Sequence, residues 1–139
     1  MHEFTTRRKV EFADTDMAGI VHFARYAVFM ETAEHEFLDA LGTSVHLEID
    51  GMKIGWPRVR VALEYKNPAR FGDVLEINLR VLRKGRTSMT YGFRFARDGG
   101  EEVATGEATS VCCAVGDNGK LRAIPIPGLI ADRVEEAPR

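Results

Sequence analysis

Two aspartates stand two residues apart near the N-terminus, in the stretch VEFADTDMAGIVHF that runs from Val10 to Phe23. A carboxylate can attack an acyl carbon or draw a proton from water. Gly19 follows Asp16 after two residues, and glycine permits a positive φ or a close approach of the backbone to a ligand. The types and spacing of Asp16 and Gly19 therefore indicate chemistry at a carbonyl group.

The same stretch leads into apolar residues with helical spacing, and we expect its segment Gly19–Phe23 to lie at the helix N-terminus. The free N–H groups and the positive dipole end of such a terminus stabilise a developing oxyanion. On the residues alone, an aspartate before a helix is more often an N-cap than a catalyst, and Asp14 suits that role. His22, among apolar neighbours, is more often a packed residue than a general base.

Periodicity predicts the elements that must position these residues. A first strand is predicted over Thr6–Phe12, followed by one amphipathic helix of about four to five turns that stops at Gly42. We expect Glu31 and Glu34 on the solvated or interface side of this helix, because charged residues are rarely buried without a partner. The apolar helix positions are Tyr26, Phe29, Met30, Ala33, Phe37, Ala40 and Leu41.

Alternating residues predict four more strands after a connection from Thr43 to Trp56. The order is therefore β-α-β-β-β-β, an α+β chain in one domain over 1–139, with the last four strands in an antiparallel meander. The turns between them are 67–73 (NPARFGD), Lys84-Gly85 and 98–101 (DGGE). The apolar strand faces are Val59, Val61, Leu63 and Tyr65; Leu75, Ile77, Leu79 and Val81; Met89, Tyr91, Phe93 and Phe95; and Thr109, Val111, Cys113 and Val115.

Composition narrows the class of protein. The 139 residues are 45% hydrophobic and 29% charged, which is typical of a globular domain, and the net charge of −2 argues against a nucleic-acid binder that relies on a basic field. No signal peptide or membrane-spanning run is recognisable, so we expect a cytoplasmic protein. Cys112 and Cys113 are neighbours and cannot form a framework disulfide.

One helix can cover only one face of a five-stranded sheet. The edges and the other face of the sheet still need cover, and self-association supplies it most simply. We therefore expect a homodimer or a homotetramer.

The stretch EFADTDMAGIVHFARYAVFMETAE resembles the opening motif of the 4-hydroxybenzoyl-CoA thioesterase family, in which a strand runs into D-x-D-x-x-G-[IV]-V and then a helix. NPARFGD, RKGRTSMTY and LRAIPIP resemble later motifs of that family, so the resemblance spans nearly the whole chain. It implies a hotdog fold, with a five-stranded antiparallel sheet wrapped around one long central helix. It also implies an acyl-CoA thioesterase that releases a free acid and CoA.

The resemblance assigns roles to residues of the motif. It implies that Asp16 is the catalytic carboxylate, as nucleophile or general base, and that the backbone N–H of Phe23 polarises the thioester carbonyl. Gly19 would serve the close approach of substrate, and Ile20 and Val21 would support the turn. The pair His22-Phe23 stands where the Tol-Pal-associated thioesterases have Tyr-His, so the histidine is displaced by one position and its role stays open.

Phosphates of CoA require cationic donors outside the acyl pocket. Candidates at one hairpin are Arg83, Lys84 and Arg86 with Thr87 and Ser88, and Arg122 resembles a family position near the nucleotide, reached across a subunit interface. An ordinary solvated turn and tail fit these residues equally well.

No metal or redox cofactor is expected, since CoA is part of the substrate and no residue spacing fits a metal site. Two other functions stay open: a hotdog dehydratase of 3-hydroxyacyl thioesters, and a non-catalytic module that binds acyl-CoA or acyl-carrier protein. The sequence leaves open the acyl group and whether CoA or a carrier protein bears the thioester.

Overall fold

Nine strands and two helices make up the computed structural model, which describes residues 1–139. Two 3-10 turns, Phe12–Asp14 and Asp98–Gly100, complete the regular structure. The elements are β1 Glu3–Lys9, α1 Arg25–Ala40, β2 Glu48–Ile49, β3 Met52–Gly55, β4 Arg58–Tyr65, β5 Val74–Lys84, β6 Ser88–Arg97, β7 Glu101–Val111, β8 Cys113–Val115, β9 Leu121–Ala123 and α2 Gly128–Ala131.

Five antiparallel strands form the main sheet in the order β1-β5-β6-β7-β4. The hairpins β5–β6 and β6–β7 agree with the predicted meander, but β4 pairs with β7 and not with β5. The reason is that β1 occupies the free side of β5, in a register that runs from Glu3 opposite Arg80 to Lys9 opposite Val74. Strand β4 therefore forms the opposite edge of the sheet.

Helix α1 packs on one face of this sheet and buries most of the predicted apolar positions. Leu41 is its C-cap, and Gly42 follows with φ +83°, the left-handed conformation that commonly ends a helix. Leu38 is buried, whereas Ala40 is exposed, contrary to the prediction. The facing core residues Met89, Tyr91, Phe93 and Phe95 are at most 2% exposed, as expected of an apolar strand face.

A second, four-stranded sheet in the order β2-β3-β8-β9 was not predicted. Its strands are short, so their periodicity is weak. Two of them, β2 and β3, lie within Thr43–Trp56, which was expected to be only a connection. The last predicted strand is interrupted at Cys112, whose N–H donates to Thr87 O at 2.7 Å and whose carbonyl accepts from Ile124 N–H at 2.9 Å. Both cysteines are buried and free, and burial raises the pKa of the Cys112 thiol to about 11.

The edge strand β4 differs most from its predicted apolar face. Val59 is 64% exposed, because it lies at the register irregularity between Arg58 and Arg60, and Tyr65, at the end of the strand, is 50% exposed. An irregularity in the β4–β7 register between Arg58 and Arg60 turns these two arginines toward different partners, Glu34 on α1 and Glu107 on β7. Neither helix combines the length and apolar character that crossing a bilayer requires.

Candidate active site

A tight loop between β1 and α1 carries the DTDMAG motif. Thr15 and Val21 form an antiparallel bridge that closes the loop. Inside it, Asp16 N–H donates to Ile20 O at 2.9 Å and Gly19 N–H donates to Asp16 O at 3.0 Å. Gly19 has φ +79°, which favours glycine, and no atom lies within 4 Å of where its Cβ would be. The side of the loop at Gly19 is therefore open to an approaching ligand.

The turn 67–73 supports this loop through backbone contacts. Ile20 forms a bridge with Arg70, and Val21 N–H donates to Ala69 O at 2.8 Å. Ile20 and Val21 thus hold the loop against the turn that leads into β5.

Asp14 fixes the loop to the helix. It is 1% exposed, its Oδ1 accepts from Arg25 Nε at 2.8 Å and lies 2.7 Å from Arg25 Nη2, and its Oδ2 accepts from Glu11 N–H at 2.8 Å. These bonds end β1 early, so Phe12 lies in a 3-10 turn and not in the predicted strand. Ala24 is the N-cap of α1 and no side chain caps it, so neither aspartate is a helix cap.

The surroundings of Asp16 differ from those of Asp14. Its side chain is partly exposed, its Oδ1 accepts one hydrogen bond, from Ala18 N–H of its own turn at 2.9 Å, and no cation lies within ion-pair distance. It lines an open cleft of about 710 Å³ with Phe12, Thr15, Met17, Gly19 and Phe71. The rings of Phe12 and Phe71, 6.5 Å apart, form apolar walls for this cleft. The second carboxylate oxygen, Oδ2, makes no hydrogen bond to the protein.

The segment Gly19–Phe23 precedes the helix instead of forming its N-terminus, because Ile20 and Val21 are held in bridges and α1 begins only at Arg25. Phe23 N–H donates no hydrogen bond, so it is free to bind an external oxygen. Phe23 is not among the residues that line the cleft at Asp16.

His22 is held by its neighbours. Its N–H donates to Asp14 O at 2.8 Å, its Nδ1 accepts from Ala24 N–H at 3.1 Å, and its ring stacks on Phe23 with 4.5 Å between centroids. Because Nδ1 already accepts a backbone hydrogen bond, it is not available as a base in this arrangement.

Tyr65 on β4 holds the backbone of Phe23 through a hydrogen bond. Its hydroxyl donates to Phe23 O at 2.9 Å, and its ring lies 5.5 Å from that of Tyr26. Desolvation raises the pKa of Tyr65 and raises that of Tyr26 to about 12, so both phenols stay protonated near neutral pH. No local pattern in the sequence indicates the contact between Tyr65 and Phe23, since 42 residues separate them.

The basic residues lie at the other end of the sheet. Asp16 sits beside the start of β5, whereas Arg83 and Lys84 end this 11-residue strand, roughly 30 Å away at strand rise. Lys84 Nζ binds the carbonyls of Ala131 and Val134 at 3.0 and 2.9 Å, which ties it to the C-terminal segment. At the same end, Arg86 and Thr87 lie in the turn to β6, Ser88 begins β6, and Arg122 lies on β9. One chain alone does not bring them to Asp16.

A second polar cluster was missed, and it overturns the expectation that Glu34 lies on the solvated or interface side of the helix, because Glu34 is buried within the chain itself. Glu34 is 2% exposed; Arg58 Nη2 donates to its Oε2 at 2.6 Å, and Ser110 Oγ donates to its Oε1 at 3.2 Å. Burial raises the pKa of Glu34, and Arg58 and Ser110 oppose this rise. The position lies four residues after Met30 and three before Phe37, so its helical spacing could have revealed its burial.

Comparisons with known proteins agree with this architecture. Residues 10–134 match the family described as the Thioesterase-like superfamily. The 1,4-dihydroxy-2-naphthoyl-CoA hydrolase of Synechococcus elongatus is 29% identical over 113 residues, which is 81% of this chain and 82% of that protein. The structure of BH1999 gentisyl-coenzyme A thioesterase is 31% identical, with a TM-score of 0.82 over 92% of this chain and 99% of that chain.

A third likeness concerns the fold alone. The structure of Slr0204, a 1,4-dihydroxy-2-naphthoyl-CoA thioesterase from Synechocystis, has a TM-score of 0.84 at 24% identity and covers 94% of both chains. The named relatives are therefore thioesterases of several aromatic acyl groups, and the resemblance to the 4-hydroxybenzoyl-CoA enzymes in particular was too narrow. The chain belongs to the Thioesterase-like superfamily, and it is a thioester hydrolase of the hotdog fold.

Proposed function

We propose that this protein hydrolyses an acyl-CoA thioester to a free acid and CoA, with Asp16 as the reacting carboxylate. The observation that carries the proposal is the contrast within one loop. Asp14 is buried and neutralised by Arg25, whereas Asp16 has no cationic partner and faces an open cleft with apolar walls. An unpaired carboxylate beside such a cleft is suited to attack a bound thioester or to activate water.

Two routes use the free Oδ2 of Asp16. In one, Oδ2 attacks the thioester carbon, CoA leaves as the thiolate and takes a proton, and water then cleaves the mixed anhydride to the acid. In the other, Oδ2 takes a proton from water while the water oxygen attacks, and CoA leaves as the thiol. The free Phe23 N–H would stabilise the oxyanion in either route, provided that bound substrate bridges from the cleft at Asp16 to Phe23.

Formation of a homodimer would bring the basic hairpin of one copy close to Asp16 of the other. Two copies joined along their exposed β4 edges, antiparallel about a two-fold axis, would place the hairpin end of one copy beside the Asp16 end of the other. Arg83, Arg86 and Arg122 of one copy could then bind the CoA phosphates of substrate held by the other. Sedimentation at micromolar concentration should give a dimer or tetramer mass, and a monomer mass would contradict this arrangement.

The activity is tested by thiol release from short, long, branched and aromatic acyl-CoAs. Asp16→Asn should lower turnover at least ~100-fold, the lower range for a positioned acid or base, while its amide oxygen still accepts from Ala18 N–H. Asp117→Asn, in the exposed turn between β8 and β9, is the matched control and should leave turnover unchanged.

Near-normal turnover of the Asp16→Asn variant would overturn the assignment of that residue. Formation of an enoyl product without thiol release would identify a dehydratase instead. Binding of acyl-CoA without either product would identify a binding module.

A further inference from the structure

Helix α1 and strand β4 run antiparallel to each other along a seam at the edge of the sheet. At one end of the seam Tyr65 bonds to Phe23, and at the other end Arg58 bonds to Glu34. Between these ends Leu63 and Met30 meet over Gly106, where an added Cβ would lie 2.9 Å from Leu63 Cδ2 and 3.1 Å from Met30 Sδ. The seam therefore leads from the free Phe23 N–H toward the Glu34 carboxylate.

A cleft of about 140 Å³ opens along this seam. Its walls are apolar for most of their length, with Ala27 and Met30 on α1, Val61 on β4 and Ala108 on β7. Ala27 lies in the first turn of α1, and Phe23 lies two residues before the helix begins at Arg25. The cleft thus begins in the first turn of α1, four residues along the chain from the N–H that would hold the thioester oxygen.

The far end of the cleft is polar and keeps unused hydrogen-bonding capacity. Glu34 accepts one bond at each oxygen, from Arg58 and Ser110, although a carboxylate has about four acceptor sites. Arg58 donates through Nη2 to Glu34 and through Nη1 to Trp56 O, and its side chain is 25% exposed. A further group could therefore accept from the guanidinium and donate to the carboxylate.

The charges at this end of the cleft determine which kind of ligand group can bind there. Glu31 Oε2 lies 4.0 Å from Arg58 Nη1, so two carboxylates surround one guanidinium. The two carboxylates would repel an anionic group, and an apolar group would leave the remaining hydrogen-bonding capacity of Glu34 and Arg58 unused. A neutral hydroxyl, which both donates and accepts, fits both residues.

A buried ion pair of this kind is weak evidence for a role in stability alone. Replacing a buried ion pair with apolar residues of similar volume is often neutral or stabilising. The pair also lies at the wall of a cleft, where ligand can reach it, and the rest of that wall is mainly apolar. These features are typical of ligand sites, in which a few polar groups fix orientation within an apolar pocket.

We propose that Glu34 and Arg58 form a subsite that binds a hydroxyl group at the far end of the acyl moiety. This inference rests on the proposed thioesterase function. Arg25, where α1 begins two residues after Phe23, lies about 14 Å from Glu34 along the helix at its usual rise, and the Glu34 side chain points back toward the N-terminus. The hydroxyl should therefore lie roughly 10 Å from the thioester carbonyl. A hydroxylated fused-ring aryl group or the end of a hydroxylated aliphatic chain has this reach.

The test compares substrates that differ only by this hydroxyl. The first pair is 6-hydroxy-2-naphthoyl-CoA and 2-naphthoyl-CoA, and the second is 8-hydroxyoctanoyl-CoA and octanoyl-CoA. In at least one pair, the native protein should prefer the hydroxylated member about 10-fold or more in kcat/KM, and the pair that shows the preference identifies the aryl or aliphatic source. The double variant Glu34→Met/Arg58→Met should bring that ratio near one.

The matched control removes a different ion pair of β4. Arg60 Nη1 lies 3.1 Å from Glu107 Oε2 on the other face of the sheet, so Arg60→Met/Glu107→Met should keep the native ratio. Arg58→Lys serves as a second variant if the double variant does not fold. Lysine keeps a positive charge near Glu34 but lacks the planar set of donors, so the ratio should fall several-fold.

The outcomes separate the two proposals. Thiol release with equal kcat/KM for both members of both pairs, or a preference that survives in the variants, would overturn the hydroxyl subsite and leave the thioesterase function standing. Absence of thiol release from all four substrates and from the wider acyl-CoA series would overturn the proposed function, and the subsite would fall with it.

Discussion

The loop around Asp16 and the seam around Glu34 use the same chemical group in opposite ways. Asp16 is partly exposed, receives one hydrogen bond from its own turn and has no cationic partner. Glu34 is 2% exposed and is bonded to Arg58 and Ser110. The comparison teaches that the surroundings, and not the residue type, decide whether a carboxylate is available to react or is fixed as part of a binding wall.

Substitutions in the two regions should differ most in their effect on the free energy of unfolding. Glu34→Leu alone should lower the free energy of unfolding by about 3 kcal/mol, because Arg58 loses its ion-pair partner and the Ser110 hydroxyl loses its acceptor in a buried place. Asp16→Ala should cost less than about 1 kcal/mol, since it removes one partly exposed hydrogen bond. Urea unfolding measures both values.

The double variant Glu34→Met/Arg58→Met sharpens this comparison, because it leaves no unpaired charge. It should recover most of the stability that Glu34→Leu loses. Equal losses for Glu34→Leu and Asp16→Ala would show that the two regions do not differ in the way described.

Tyr65 connects the two regions, and its substitution should have a smaller effect. Tyr65→Phe removes the hydrogen bond to Phe23 O, which should lower the free energy of unfolding by about 1 kcal/mol. If this bond positions the Phe23 N–H for the transition state, kcat should fall several-fold while KM changes little.

Tyr26→Phe is the matched control for that variant, since the Tyr26 ring packs beside Tyr65 and its hydroxyl bonds to no protein atom. It should leave kcat near the native value. A rise in KM without a change in kcat for Tyr65→Phe would argue that Tyr65 contributes to substrate binding and not to positioning.

The sequence predicted the elements whose periodicity is strong. The helical spacing from Tyr26 to Leu41 corresponds to α1, and the alternation in β5 and β6 corresponds to two strands with buried faces. The prediction failed for β2, β3, β8 and β9, because strands of two to four residues carry too little pattern. It also failed for the partner of β4, which depends on β1 occupying one side of β5.

The candidate site likewise divides into features that the sequence predicted and features that it did not. The spacing of Asp14 and Asp16, together with Gly19, singled out the loop, but Asp14 does not cap α1 as expected and instead accepts from Glu11 N–H in the turn before it. The cluster of Glu34, Arg58 and Ser110 could not be derived in this way. Their contacts join residues 24 to 76 positions apart, and no local pattern encodes such contacts.

By itself the sequence determined the local chemistry of this protein: an aspartate pair before a glycine that adopts positive φ, an amphipathic helix, and strands with one apolar face. These follow from short-range sterics and from the periods of helix and strand. Only the tertiary structure decided that Asp16 stays free while Glu34 is buried against Arg58, and that the basic hairpin lies at the far end of β5 from Asp16. Burial, ion pairing and strand order arise from packing between distant segments, which is why they became visible only in the folded chain.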